Sequence, residues 1–170
     1  MLDILSRAGW GRCVTLLAVA LLAACDPQRI AELEEGVATE AHVRARFGEP
    51  AAVYTEDNGA RTFDYPRQPA GQVNYMITIG TDGKMSALRQ VLEPANFAKV
   101  LPGQGKTQVR RLLGKPAQTQ SYALKQEEVW DWRFADGQEN KIFSATFGSD
   151  GKVVSSATTL DPRDAGQVGK

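Results

Sequence analysis

Asp64 and Asp131 are the first residues of this chain whose type and spacing raise the question of chemistry. Each lies between two aromatics, in Phe63-Asp64-Tyr65 and Trp130-Asp131-Trp132. A pair of carboxylates is the raw material of general acid–base catalysis. Strand alternation, however, turns Phe63, Tyr65, Trp130 and Trp132 to one face and both aspartates to the other. The same residue in matching surroundings points to a shared structural or surface role, not to two different catalytic ones. His42 is the single histidine of the chain. Without a second histidine or a usable thiol it supplies neither a metal site nor a nucleophile–base pair, and it reads as a helix-surface residue. Gly103-Gln104-Gly105-Lys106-Thr107 has the outline of a phosphate loop. Val100 stands where that loop needs its first glycine, and no strand is predicted before it. No catalytic residue, metal ligand or cofactor is assigned.

The two cysteines carry different chemistry. An apolar run, Val14 to Ala24, follows Arg7 and Arg12 and stops at Cys25. A positive start, a short apolar core and small residues at the cut site describe a bacterial export signal over residues 1–24. The run is too short for a permanent membrane span, which needs about 20 apolar residues. Leu22-Ala23-Ala24-Cys25 resembles the lipobox of bacterial lipoproteins, which implies that Cys25 is lipidated and becomes the new N-terminus. Cys13 leaves with the signal and Cys25 becomes the anchor, so no thiol remains for a disulfide, even in an oxidising compartment. Removal of the signal takes two of the 20 basic and one of the 20 acidic side chains. The remainder is close to neutral, without the basic excess of a nucleic-acid-binding surface.

The elements that position these residues recur. Val43-Arg44-Ala45-Arg46-Phe47-Gly48-Glu49-Pro50 aligns with Val109-Arg110-Arg111-Leu112-Leu113-Gly114-Lys115-Pro116. Gly80-Thr81-Asp82-Gly83-Lys84 aligns with Gly148-Ser149-Asp150-Gly151-Lys152. Together with the two aromatic-flanked aspartates, these are three matches in one order, about 66–68 residues apart. They read as two tandem modules, residues 25–93 and 94–160, followed by a disordered tail over 161–170. Thr39 caps a helix whose buried stripe holds Val43 and Phe47, and Gly105 opens the matching helix with Val109, Leu112 and Leu113. Gly48 and Gly114 stop these helices, and the prolines two residues on prevent continuation. A shorter helix is expected before each, over 27–33 and 95–101. Three strands follow in each module, about 61–66, 72–80 and 84–92, then 127–134, 139–147 and 152–160. Asp82-Gly83 and Asp150-Gly151 predict type I′ hairpins between the last two strands. The expected fold is therefore α+β, each module laying two helices on a three-stranded antiparallel sheet.

A lipobox, a capped helix ending in Gly-x-Pro, an aromatic strand and a Gly-x-Asp-Gly-Lys hairpin together resemble the SmpA/OmlA (BamE-like) outer-membrane assembly lipoprotein domain. The resemblance covers most of the chain after the signal, once per module. The tandem layout also resembles the β-lactamase inhibitor proteins, which form a concave surface from two similar modules. The Gly-x-Ser/Thr pattern ahead of the helix is split between the modules: Val37 replaces the glycine in the first, and Gly105 replaces the hydroxyl residue in the second.

What the resemblances imply is a non-catalytic docking protein, tethered to a membrane by its lipid and holding an envelope protein partner. That partner is the outer-membrane assembly machinery, or a periplasmic enzyme if the inhibitor layout is followed. Tyr65, Trp130 and Trp132 are mostly core by alternation, yet they are also candidate partner-binding anchors, because Trp and Tyr dominate interface hot spots. Arg44, Arg46, Arg110 and Arg111 give the two longer helices a basic side, either a solvated face or a contact for anionic headgroups. The resemblance favours the outer membrane, whereas Asp26 beside the anchor resembles an inner-membrane retention signal.

Overall fold

The computed structural model describes Ile30 and residues 32–163. The export signal, Cys25, most of the expected helix over 27–33 and residues 164–170 lie outside the described residues. Helix α1, Glu40–Phe47, starts where expected. Thr39 accepts from the His42 backbone N–H (3.4 Å), and His42 Nδ1 accepts from the Thr39 N–H (3.3 Å), so the histidine closes a capping box. Gly48, at φ +80°, ends the helix by donating to Arg44 O (2.8 Å). Strands β1 (Ala52–Thr55), β2 (Arg61–Pro66), β3 (Asn74–Ile79) and β4 (Met85–Gln90) then form an antiparallel sheet in chain order.

After a single turn, α2 (Pro94–Phe97), comes α3 (Lys106–Leu113), opened at Gly105, whose N–H is received by the Gln108 side chain (2.8 Å). Strands β5 (Gln118–Tyr122), β6 (Glu127–Asp136), β7 (Glu139–Phe147) and β8 (Val153–Leu160) make a second four-stranded sheet with the same order of strands. The start of each longer helix is bridged to the last hairpin of its sheet, Thr39 with Lys84 and Gly105 with Lys152.

This corrects the expected α+β architecture. The described residues form two four-stranded antiparallel sheets and three short helices, a mostly β protein, not two helices on three strands. The added strands, β1 and β5, follow directly after the Gly-x-Pro stops. β5 is exposed along its whole length, so it has no apolar alternation and exists by pairing with β6. The helix expected over 95–101 shrinks to one turn. Its remainder is needed as a connector that leads Val100, which is buried, toward Gly105.

The hairpins differ from expectation as well. Gly80 and Gly148 donate to Lys84 O and Lys152 O (2.7 and 2.9 Å). Gly83 and Gly151 have positive φ, whereas Asp82 and Asp150 do not. These are three-residue loops with glycine in the left-handed position, not type I′ turns. Each aspartate instead accepts from the lysine N–H two residues on (3.1 and 3.0 Å).

Two cores result. In the first, Val43 and Phe47 of α1 pack on Phe63, Tyr65, Tyr75, Ile77 and Ile79. In the second, Val109 and Leu113 of α3 and Phe97 of α2 pack on Trp130, Trp132, Phe143 and Phe147. Met76, from the other face of the first sheet, joins this second core, with Tyr54 packed against it. The layers thus run α1, first sheet, α2–α3, second sheet. Polar ties reinforce the junction: Gln68 donates to Arg133 O (2.7 Å) and Gln72 to Asn140 Oδ1 (2.6 Å). Arg133 also pairs with Asp161 (2.7 Å), which is buried just after β8.

Candidate functional site between the two sheets

Strand β2 turns Phe63 and Tyr65 into the first core, so Asp64 points to the opposite face, flanked in register by Ala52 and Met76. On an isolated sheet that face would be wet. Here the end of α3 covers it, and Asp64 and Asn74 are both fully buried. Asn74 is well used: its Nδ2 donates to Leu113 O (2.7 Å) and Lys115 O (3.0 Å), and its Oδ1 accepts from the Arg67 N–H (3.2 Å). It satisfies carbonyls that the helix terminus leaves open. Gly114, at φ +75°, makes the close approach possible. A Cβ there would stand 2.8 Å from Asp64 Oδ1 and 2.9 Å from Asn74 Nδ2.

Asp64 has no such partners. Arg110 Nε comes to 4.0 Å of Asp64 Oδ2, beyond hydrogen-bond reach. Neither Asp64 oxygen, nor Arg110 Nε, nor the Tyr54 hydroxyl has a hydrogen-bond partner among the described residues. Burial pushes the Asp64 carboxyl up to about 6, against the opposing pull of the Arg110 charge, then of the nearby Lys115 backbone N–H and the Lys115 charge. Burial also raises the Tyr54 phenol, and the neighbouring Asp64 charge adds to that.

Tyr54 is also a wall of a cleft of about 440 Å³ between the outer face of the first sheet and α2–α3. Met76, Val91 and Leu112 give it an apolar floor, and Arg89, Glu93, Lys99 and Arg111 a charged rim. Arg111 lies over the Tyr54 ring (5.1 Å) and pairs with Glu56 (2.8 Å), joining α3 to the loop after β1. A second, open cavity of about 530 Å³ lies at the hairpin end of the second sheet, beside the Lys106–Glu128 pair (2.6 Å).

The residues singled out from sequence fall as follows. Cys25 is outside the described residues. Tyr65, Trp130 and Trp132 are all buried, and as core side chains they present no exposed anchor. Two of them do equivalent work. The Tyr65 hydroxyl donates to Gly48 O and the Trp132 indole to Gly114 O, both at 3.0 Å, each clamping the end of the helix packed on its sheet. Trp130 donates to Glu128.

Arg44 pairs with Glu40 (2.8 Å) and Glu49, Arg46 with Glu32, Arg110 faces Asp64 and Arg111 pairs with Glu56. Each basic charge is therefore compensated by a carboxylate of the same chain, and the pairs on α1 and α3 lie in different layers. Asp131 is partly exposed and accepts from Ser144 Oγ (2.6 Å), far from the setting of Asp64. Sequence reasoning passed over Asn74, whose one signal is a carboxamide at an outward position of an apolar strand. Among the described residues no three His, Cys, Asp or Glu side chains gather as metal ligands, and no helix is long and apolar enough to cross a membrane.

No family model and no curated protein matches the chain. Among solved structures it is similar to a candidate osmotically inducible lipoprotein, OsmE, at 22% identity and TM-score 0.37, over 45% of this chain and 91% of the other. It is also similar to a DUF4309 family protein, YjgB, from Bacillus subtilis, at 19% identity and TM-score 0.31, over 76% and 83%. A third is a candidate β-lactamase inhibitor protein from Streptococcus mutans, at 11% identity and TM-score 0.33, over 73% and 84%. At these TM-scores the similarities bear no weight for function.

Proposed function

We propose that this chain is a non-catalytic lipoprotein of the bacterial cell envelope, lipidated at Cys25, that docks an envelope protein in the cleft between two tandem modules. The observation that carries the reading is the cleft itself, with a floor of Met76, Val91 and Leu112 and a rim of both charge signs. An apolar floor supplies the driving force for a protein segment, and a mixed rim orients it. The lipobox at residues 22–25 supports the anchor, and the order of sequence motifs supports a role in outer-membrane protein assembly or envelope maintenance. The outer membrane is the favoured location, with Asp26 as the feature that favours the inner one.

Cleft walls drawn from both modules favour a second reading, a binding or inhibitor protein that clamps a periplasmic enzyme. Site-specific photocrosslinking in cells tests both. A photoreactive side chain at Leu112 or Thr62 in the cleft is compared with one at Ser155 on the far face of the second sheet. Adducts from the cleft positions with the outer-membrane assembly machinery support the first reading, and adducts with a soluble periplasmic enzyme support the second. Equal adducts from all three positions overturn docking in the cleft. Labelled palmitate should enter the native protein and not a Cys25→Ala variant, and labelling of both would remove the proposed anchor site.

A further inference from the structure

A bare sheet edge is a template for another strand, and folded proteins cover, shorten or charge such edges. The first sheet does so. Residues 35–38 run along its last strand: Gly36 donates to Met85 O, Met85 donates to Ala38 O (both 2.7 Å), and Glu35 receives the Leu88 N–H (2.9 Å). Strand β1 is only four residues long. In the second sheet the matching cover stops early. Val153 exchanges hydrogen bonds with Gly103 and Gln104 (2.9 and 2.8 Å), and beyond it residues 154–160 are exposed, paired with β7 on one side and with no strand on the other among the described residues.

That open edge carries none of the usual protection. Val153–Leu160 reads VVSSATTL, without a charge, a proline or a glycine, and mostly of β-branched or small residues. The other bare edge, β5, is shorter, polar, and entered just after Pro116. The Asp161 backbone N–H donates to Asn140 O (2.8 Å), so alternation directs the backbone groups of the odd residues of β8 to β7. The N–H and C=O groups of Ser156, Thr158 and Leu160 therefore face the open side. The two large exposed apolar side chains of the strand, Val154 (51% exposed) and Leu160 (62%), lie three residues either side of Ala157.

We propose that β8 is a self-association edge. Two copies of this chain pair antiparallel through residues 154–160 about a two-fold axis at Ala157, joining their second sheets into one. In that register Ser156 faces Thr158 of the other copy and Val154 faces Leu160. The backbone groups that point outward are the ones that bond, and Ala157 meets Ala157 in the closely spaced, non-hydrogen-bonded pair at the axis. A second copy is the occupant that fits because the edge is its own complement. The strand has no charge to repel its mate, the chain has a formal net charge of zero, and the apolar ends meet each other only in this two-fold arrangement.

The test is sedimentation of the native lipidated protein in density-matched detergent, which should find twice the mass of one chain. Ala157→Lys and Ala157→Glu each place like charges directly opposite at the axis and should weaken association about tenfold or more, while an equimolar mixture of the two should re-form dimers. Because Ala157 is exposed, both variants should keep the native circular dichroism spectrum, so loss of association is not loss of fold. Ala157→Cys should add an oxidative cross-link absent from the native protein and from Ser121→Cys on β5. A native protein that sediments as a monomer at tens of micromolar overturns the proposal. So does a dimer that neither charge variant weakens. Either result leaves docking in the cleft untouched.

Discussion

Replacing Asp64 with asparagine should stabilise this protein at neutral pH, and the gain should shrink steadily as the pH falls from 6 towards 3.8. The carboxyl is buried without a hydrogen-bond partner, and its folded-state value is about 6 against an ordinary 3.8. Between those two values the folded protein holds a proton that the unfolded chain has released. The contribution of this group to stability is complete below about pH 4 and is lost as pH rises through 6. Two units at 1.36 kcal/mol each make the loss about 3 kcal/mol. Asparagine has the same shape and no charge to desolvate, so at pH 7.5 the variant should exceed the native protein by about that amount. For a chain of this size the gain corresponds to roughly 6–12 °C in Tm. Near pH 4.5 the difference should have fallen to about 1 kcal/mol, and near pH 3 it should vanish. Glu35, Glu40 and Glu128 are held below the ordinary glutamate value by Arg89, Arg44 and Lys106, so their own contributions rise with pH, in the opposite sense and in a more acidic window. Urea titrations monitored by tryptophan fluorescence at pH 4.5, 6 and 7.5 would separate the two trends. A variant no more stable than the native protein at pH 7.5 would refute the reasoning, and so would an advantage independent of pH, which would mark a packing effect.

Gly114→Ala should cost clearly more than Gly48→Ala in the same urea assay. Both positions have positive φ, worth about 1–2 kcal/mol, but only at Gly114 does the new methyl group collide with Asp64 and Asn74. Tyr65→Phe and Trp132→Phe each strand a helix-end carbonyl, and calorimetry should show losses of about 1–3 kcal/mol, larger for Trp132, whose replacement also leaves a void. Arg111→Ala should change stability by no more than about 1 kcal/mol, because its pair with Glu56 is over one-third exposed on both sides. A larger loss would show that its stacking on Tyr54 holds the cleft wall in place.

Much of the local structure was legible in the chain. Gly48 and Gly114 stop helices because each needs a left-handed backbone, the apolar period of two placed β2, β3, β6 and β7, and the Asp-Gly hairpins placed β4 and β8, close to where they run. Capping needs only neighbouring residues, and Thr39 caps α1 as read, although the reciprocal partner is the histidine that looked idle. The edge strands were missed for a physical reason. β5 buries nothing, so its extended form is dictated by hydrogen bonds to β6, which leave no mark on its own composition.

Alternation by itself determined that Asp64 leaves the first core and that Tyr65, Trp130 and Trp132 enter one. It could not determine what meets the outward face, because that depends on where α3 docks, a contact between residues some 40 positions apart. In Asp131 the same sequence context yields a partly exposed aspartate with a serine partner. In Asp64 it yields a buried, unpartnered carboxyl, because the second layer of helices lies on the first sheet and nothing among the described residues covers the outer face of the second. Local chemistry chose the face, and the stacking of layers decided whether that face met water or protein.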